Sequence, residues 1–179
     1  MSRRYGMAVD TVRCVGCAAC VISCKTENAV ADGGFRVWIA QEVTGRYPTL
    51  AMEIRSERCN QCTDAPCVSV CPTGASFVAE GGIVAVDPDK CTGCKACMAS
   101  CPYDARFVRP DGVVDKCTFC LHRVREGRDP ACVENCPTSA LTFGDLDDPR
   151  SELAHLVASR EHHVLAPEVG TTPNVLYLE

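Results

Sequence analysis

Residues 91–102 read CTGCKACMASCP: Cys91, Cys94 and Cys97 stand two residues apart, Cys101 follows after three more, and Pro102 closes the run. This is the spacing of an iron–sulfur motif in which three thiolates hold one [4Fe–4S] cube and the fourth ligates a neighbouring cube. A fourth ligand sent elsewhere needs a partner run, and the chain contains three more. CVGCAACVISC supplies Cys14, Cys17, Cys20 and Cys24; CNQCTDAPCVSVCP supplies Cys59, Cys62, Cys67 and Cys71 before Pro72. CTFCLHRVREGRDPACVENCP supplies Cys117, Cys120, Cys132 and Cys136 before Pro137. The four runs use all 16 cysteines, four to a run, with none left over.

Two other uses of cysteine are weaker. Small disulfide scaffolds also have even counts, but they do not repeat this spacing with a closing proline. Structural zinc takes two Cys pairs separated by a long loop, whereas here three thiols crowd within seven residues. Iron is therefore the expected metal for all sixteen thiolates. In 179 residues, that commitment leaves few large apolar side chains. The clusters are expected to act as the core, and the apo-protein to be largely unfolded. The formal charge of −5 counts the thiols as neutral. Four oxidised clusters at roughly −2 each would bring it to roughly −13, which argues against nucleic acid as a partner.

No stretch is apolar enough for long enough to cross a bilayer. Arg3 and Arg4 suggest a twin-arginine export signal, but Cys14 follows too soon for an apolar segment and cleavage site. They read as solvated arginines before a first strand. The expectation is export, if any, in the folded state and attached to a partner that carries a signal.

Tyr5–Asp10 alternates well enough for a short strand. Gly16 and Gly93 hold matching places before the second cysteine of their runs, where a bare backbone can bring N–H groups to cluster sulfur. Ala18, Ala19, Ala96 and Ala99 are small for a similar reason. Pro72, Pro102 and Pro137 should stop the helical turn that ends their runs. After Cys24 comes Lys25-Thr26-Glu27-Asn28, so that helix should run on. Residues 35–55 carry two alternating stretches, Phe35–Val43 and Thr49–Arg55, around Thr44, Gly45 and Pro48, which reads as a β-hairpin. Trp38 is expected on a hairpin face or over a cluster rather than as an anchor for a partner. Ile83–Val86 and Leu141–Gly144 read as strands, and CPTGA at Cys71 echoes CPTSA at Cys136. The eleven residues between Cys120 and Cys132 hold His122, Arg123, Arg125 and Arg128. They read as a solvated loop, or alternatively as a basic contact to a partner or to the clusters. Asp148-Pro149 is expected to cap a helix with Leu153, Leu156 and Val157 on one face. His155, His162 and His163 read as surface residues, and 164–179 as an extended tail across another subunit.

Applied to the middle runs, the ligand exchange of two-cluster ferredoxins gives Cys59, Cys62, Cys67 and Cys101 one cube, and Cys71, Cys91, Cys94 and Cys97 the next. Applied to the outer runs it gives Cys14, Cys17, Cys20 and Cys136, and Cys24, Cys117, Cys120 and Cys132. The predicted fold is α+β: two ferredoxin-like lobes with a β-hairpin insertion and an extended C-terminal tail. An inner lobe spans 59–101; an outer lobe is assembled from 1–58 and 102–148; 149–179 form a helix and tail. No nucleotide loop, radical motif, paired carboxylates or Ser/His/Asp set accompanies the runs. The chain itself is expected to be non-catalytic.

The order of the four motifs, together with CVGCAAC, CPYDAR (Cys101–Arg106), KCTFCLHR (Lys116–Arg123) and the CPT repeats, resembles the iron–sulfur subunits of the complex iron–sulfur molybdoenzymes. Those of the polysulfide, thiosulfate and dimethyl sulfoxide reductases are nearest. The resemblance runs from Tyr5 to Tyr177. It implies four [4Fe–4S] clusters between a molybdopterin (Mo/W-bis-MGD) catalytic subunit and an integral membrane quinone-binding subunit. It places the cluster of the first run and the last cysteine toward the catalytic subunit, and the middle clusters toward the membrane. Some relatives carry tryptophan in place of one cysteine of the third run and hold a three-iron cluster; Cys94 fills that place here, so four full cubes are expected. It further implies a peripheral membrane protein, on the outer face after co-export or on the cytoplasmic face. The competing reading is a free soluble polyferredoxin, against which the hairpin insertion and tail argue.

Overall fold

The computed structural model describes residues 3–179. Its organising sheet has four strands in the order β8-β1-β10-β9. Strand β1 (Tyr5–Asp10) lies inside it, antiparallel to β8 (Leu141–Asp145) and parallel to β10 (Val175–Leu178). The two-residue β9 (His162–His163) covers the outer edge of β10. Successive side chains point to opposite faces, so each strand serves two layers. Ala8 and Leu178 meet Leu153 on one side. Met7, Val9, Val175 and Tyr177 join Cys20, Cys24, Cys59, Cys117 and Cys132 on the other. The thiols are thus part of the main core.

Of the segment 164–179, expected to run as a tail over another subunit, residues 174–178 are instead internal, while 167–170 are exposed. All four residues of β10 are buried between β1 and β9. A run of VLYL, apolar at every position, is what a strand covered on both faces requires. Helix α6 (Glu152–Ser159) follows the predicted apolar face, with Leu153 buried and Leu156 and Val157 packed beside it. Its cap differs from the prediction. Ser151, not Asp148, accepts the Ala154 N–H at 3.0 Å, and its hydroxyl donates to the Asp145 carbonyl at 2.6 Å. Asp148 and Pro149 form the preceding turn, closed by the Ser151 N–H on the Asp148 carbonyl.

Strands β2 (Val37–Arg46) and β3 (Thr49–Arg58) pair along their whole length, from Val37↔Arg58 to Arg46↔Thr49. One face carries Val37, Ile39, Val43, Leu50, Met52, Ile54, Ser56 and Arg58. Its inner part is buried, while Val43, Leu50 and Met52 are exposed. On the other face Arg55 bonds Glu42, Glu53 and Glu57, and Trp38 donates to Glu57 at 3.0 Å. Trp38 therefore packs a ribbon face.

Helix α1 (Ala19–Glu27) runs past Cys24 for another turn. By contrast α2 (Pro66–Ser69), α3 (Ala96–Ala99) and α5 (Ala131–Glu134) are single turns that end just before a Cys-Pro pair. Two small hairpins complete the body, β4 (Ser76–Val78) with β5 (Val84–Val86), and β6 (Phe107–Val108) with β7 (Val114–Asp115). The insertion after Cys120 is a solvated loop only in part: Arg125–Asp129 are exposed, but the segment is anchored at both ends. It opens with helix α4 (Leu121–Arg125), and Arg123 is buried between Glu27 and Glu134 with its Nε on the Asp129 carbonyl. Arg125 pairs with Glu80, Arg128 with Glu126, and His122 with Glu27. Arg4 likewise grips Asp147 and the Asn174 side chain. His155 and His162 are exposed, and His163 stacks on Tyr177 with ring centroids 5.6 Å apart.

Candidate iron–sulfur centres

Each cysteine run begins as a loop turned around its second cysteine. The residue before that cysteine has positive φ in all four runs: Gly16 (67°), Gln61 (48°), Gly93 (68°) and Phe119 (50°). A left-handed residue there turns successive backbone N–H groups inward, a concavity suited to an anion. Glycine meets this demand most easily. At Gly93 a Cβ would stand 2.5 Å from the Gly112 carbonyl oxygen, so the chain also needs the missing side chain.

The loops bring the thiols together in fours. Cys14, Cys17, Cys20 and Cys136 line one pocket with Gly16, Ala19 and Ile39. Cys71, Cys91, Cys94 and Cys97 line another with Thr73 and Arg106. Cys24 has Cys117, Cys132 and Cys120 as its charged neighbours. Cys62 has Cys59, Cys67 and Cys101, and burial pushes its thiol up to about 11. Burial likewise pushes up Cys132, to about 12. The groups also lie within electrostatic reach of one another in series: Cys20 of Cys132, Cys59 of Cys117, and Cys67 of Cys97. Only Cys17 and Cys94 are exposed, one in each of the two pocket groups.

The CPT repeats gain a reason. In each, the threonine hydroxyl lies 3.7 Å from the sulfur two residues earlier. A backbone N–H also reaches that sulfur, from Ser76 to Cys71 at 3.4 Å and from Ala140 to Cys136 at 3.2 Å. The Ser76 N–H, helped by Thr73, lowers Cys71 to about 7. Burial alone would raise Cys136, but the Ala140 N–H and Thr138 outweigh it and lower the thiol. Elsewhere Ser56 sits 3.2 Å from Cys20, and the Asn28 amide donates toward Cys24 and Cys120 at 3.6 and 3.7 Å.

These donors suit sulfur ligands of a cluster better than those of one ion. Among the described residues no three Cys, His, Asp or Glu side chains converge closely enough to hold a single metal ion, as tetrahedral zinc demands at about 2.3 Å from each sulfur. A cube gives each thiolate its own iron, which fits thiols spread around a larger space. Of the buried donors that lack a protein acceptor, Arg58 Nε and Arg106 Nη1 lie beside these thiols and fit the same group.

Several residues here carried no sequence signal as site residues. Gln61, wholly buried, ties the second run to the fourth: its amide donates to the Cys117 carbonyl at 2.7 Å and accepts the Val84 N–H at 2.8 Å. Arg58, Lys116 and Arg106 are buried among the thiols. Two of them directly precede a run, which is the only hint the sequence offers.

Two models described as 4Fe-4S dicluster domain match the chain, over residues 13–75 and 50–146. A component of the polysulfide reductase of Wolinella succinogenes is 44% identical over 179 residues, covering 98% of this chain and 94% of that one. A component of the tetrathionate reductase of Salmonella typhimurium is 43% identical, covering 98% and 72%. The iron–sulfur subunit of the arsenate respiratory reductase of a Shewanella strain is 34% identical, covering 98% and 96%. With its thiols in fours and its two dicluster domains, the protein belongs to the iron–sulfur subunits of the complex iron–sulfur molybdoenzymes, the electron-transfer subunits of reductase complexes.

Proposed function

We propose that the chain carries four [4Fe–4S] clusters and relays electrons between a molybdopterin (Mo/W-bis-MGD) catalytic subunit and an integral membrane quinone-binding subunit. Cluster 1 is held by Cys14, Cys17, Cys20 and Cys136, and cluster 2 by Cys24, Cys117, Cys120 and Cys132. Cluster 3 takes Cys59, Cys62, Cys67 and Cys101, and cluster 4 takes Cys71, Cys91, Cys94 and Cys97. When bound, the clusters supply one-electron redox chemistry. The protein's own residues fix their order, exclude water and donate hydrogen bonds to sulfur. The observation that supports this reading is the grouping of sixteen thiols in four sets that lie within electrostatic reach of one another in the order 1, 2, 3, 4. We take clusters 3 and 4 with residues 59–101 as an inner lobe. Clusters 1 and 2, with 1–58 and 102–148, form the outer one.

The exposed thiols mark the two ends of the relay. Around Cys17, exposed Val12, Val15 and Ile22 offer apolar surface, suited to the catalytic subunit. Cys94 marks the end for the membrane subunit. No helix among the described residues is long and apolar enough to cross a membrane. Attachment through that subunit, on the outer face after co-export, is the placement we propose. Isolating the native protein without oxygen and assaying it tests the reading. Sixteen irons per chain, with a molybdopterin-bearing subunit co-purifying, is the expected result. Far fewer irons, or a lone monomer, would overturn it.

A further inference from the structure

Six charged side chains are buried among the described residues. Three have partners of opposite charge: Asp10 with Arg160, Asp115 with Arg36, and Arg123 with Glu27 and Glu134. The other three, Arg58, Lys116 and Arg106, have no carboxylate within ion-pair distance. An unpaired buried cation is costly unless a negative charge lies nearby.

Their positions are regular. Arg58, 0% exposed, donates through Nη1 to Cys132 Sγ at 3.3 Å and through Nη2 to Ser56 Oγ, which itself meets Cys20. It therefore stands between the thiols of clusters 1 and 2. Its Nε has no protein acceptor. Lys116, also 0% exposed, gives its ammonium only to the carbonyls of Val84 and Cys117. It lies beside Cys117, which is within electrostatic reach of Cys59, at the passage from cluster 2 to cluster 3. Arg106, 4% exposed, donates to Ser76 Oγ at 2.9 Å, lines the pocket of Cys71, Cys91, Cys94 and Cys97, and lies beside Cys67. It stands between clusters 3 and 4.

Resting on the four-cluster reading above, we propose that Arg58, Lys116 and Arg106 are potential-setting residues, one at each junction of the relay. Each raises the reduction potential of the two clusters it separates. Adding an electron adds negative charge, and a fixed cation a few ångströms away in a dry interior favours that charged form. The spacing of one cation per junction also keeps neighbouring reduced clusters from repelling one another so strongly that the relay stalls.

The test is a redox titration followed by electron paramagnetic resonance on the intact complex, with iron counted in every sample. Variants are Arg58→Gln, Arg58→Lys, Arg106→Gln and Arg106→Lys. Arg58→Gln should disfavour reduction of clusters 1 and 2 at least tenfold, about 59 mV for a one-electron step, and leave cluster 4 unmoved. Arg106→Gln should do the same to clusters 3 and 4 and leave cluster 1 unmoved. The lysine variants should stay near wild type. Iron-replete glutamine variants with unmoved potentials, or with all four clusters shifted alike, overturn the proposal. If glutamine costs iron, lysine decides: recovery of iron by lysine supports a need for charge, and equal loss in both overturns it. Fewer than sixteen irons in the wild type would instead sink the four-cluster reading beneath.

Discussion

Cys94 is one of two exposed thiols and the second cysteine of the run at residues 91–102. If the four proposed sites exist and are independent, Cys94→Ser perturbs one cube and leaves three assembled. Loss of all four signals in paramagnetic resonance would count against separate sites. Gly93, its neighbour, combines a φ of +68° with a carbonyl 2.5 Å from where a Cβ would stand. A left-handed backbone costs an L-residue about 1–2 kcal/mol, and the clash adds to it. Gly82 has a similar φ of +75° and open space around it, so Gly82→Ala isolates the backbone part. In a denaturant titration of visible absorbance, Gly93→Ala should bleach at a clearly lower midpoint than Gly82→Ala; equal midpoints would show that the carbonyl gives way. The cysteine positions were legible because their spacing is local. The burial of Arg58 and Arg106 was not, since it depends on which distant segments close over them.

At the scale of elements, the absence of proline after Cys24 was enough to extend α1 a turn beyond its counterparts. The arginine insertion misled because its partners are remote: Arg123 and Glu27 are 96 residues apart in sequence. The last strand misled for another reason. Four apolar residues between polar stretches carry no period, so burial on both faces is visible only once β1 and β9 flank them. Deleting residues 174–179 should therefore be far more damaging than trimming a tail. The truncated chain is expected to be insoluble or iron-poor, and a soluble, fully loaded truncation would contradict the sheet order described. The ribbon offers a gentler test. Its exposed Val43, Leu50 and Met52 share the face that inward covers Gly16 through Ile39 and Ile54. Met52→Glu should leave the iron content intact and weaken co-purification of the partner, measured as the fraction of chain recovered in complex.

Over the whole molecule, thiols lie in two of the three apolar clusters, and in the largest they pack with Met7, Val9, Val175 and Tyr177. Metal and fold are then one equilibrium, as in other small metal domains. Removing iron with a strong chelator under reducing conditions should abolish most of the far-ultraviolet circular dichroism, and a retained spectrum would show a core that stands without metal. The four-motif order was legible at this scale because each run is defined by its own local spacing. The sheet that joins both chain ends was not, because nothing local to Tyr5–Asp10 or Val175–Leu178 names the other.

That parallel pairing of β1 with β10 has a temporal side. Residues 5–10 leave the ribosome well before residues 175–178 and must wait beside an empty edge until those arrive. The stretch from Cys59 to Cys101 is complete before then, so metal loading should begin at these two runs and finish at Cys14–Cys24 and Cys117–Cys136 only once residues 175–178 have been made.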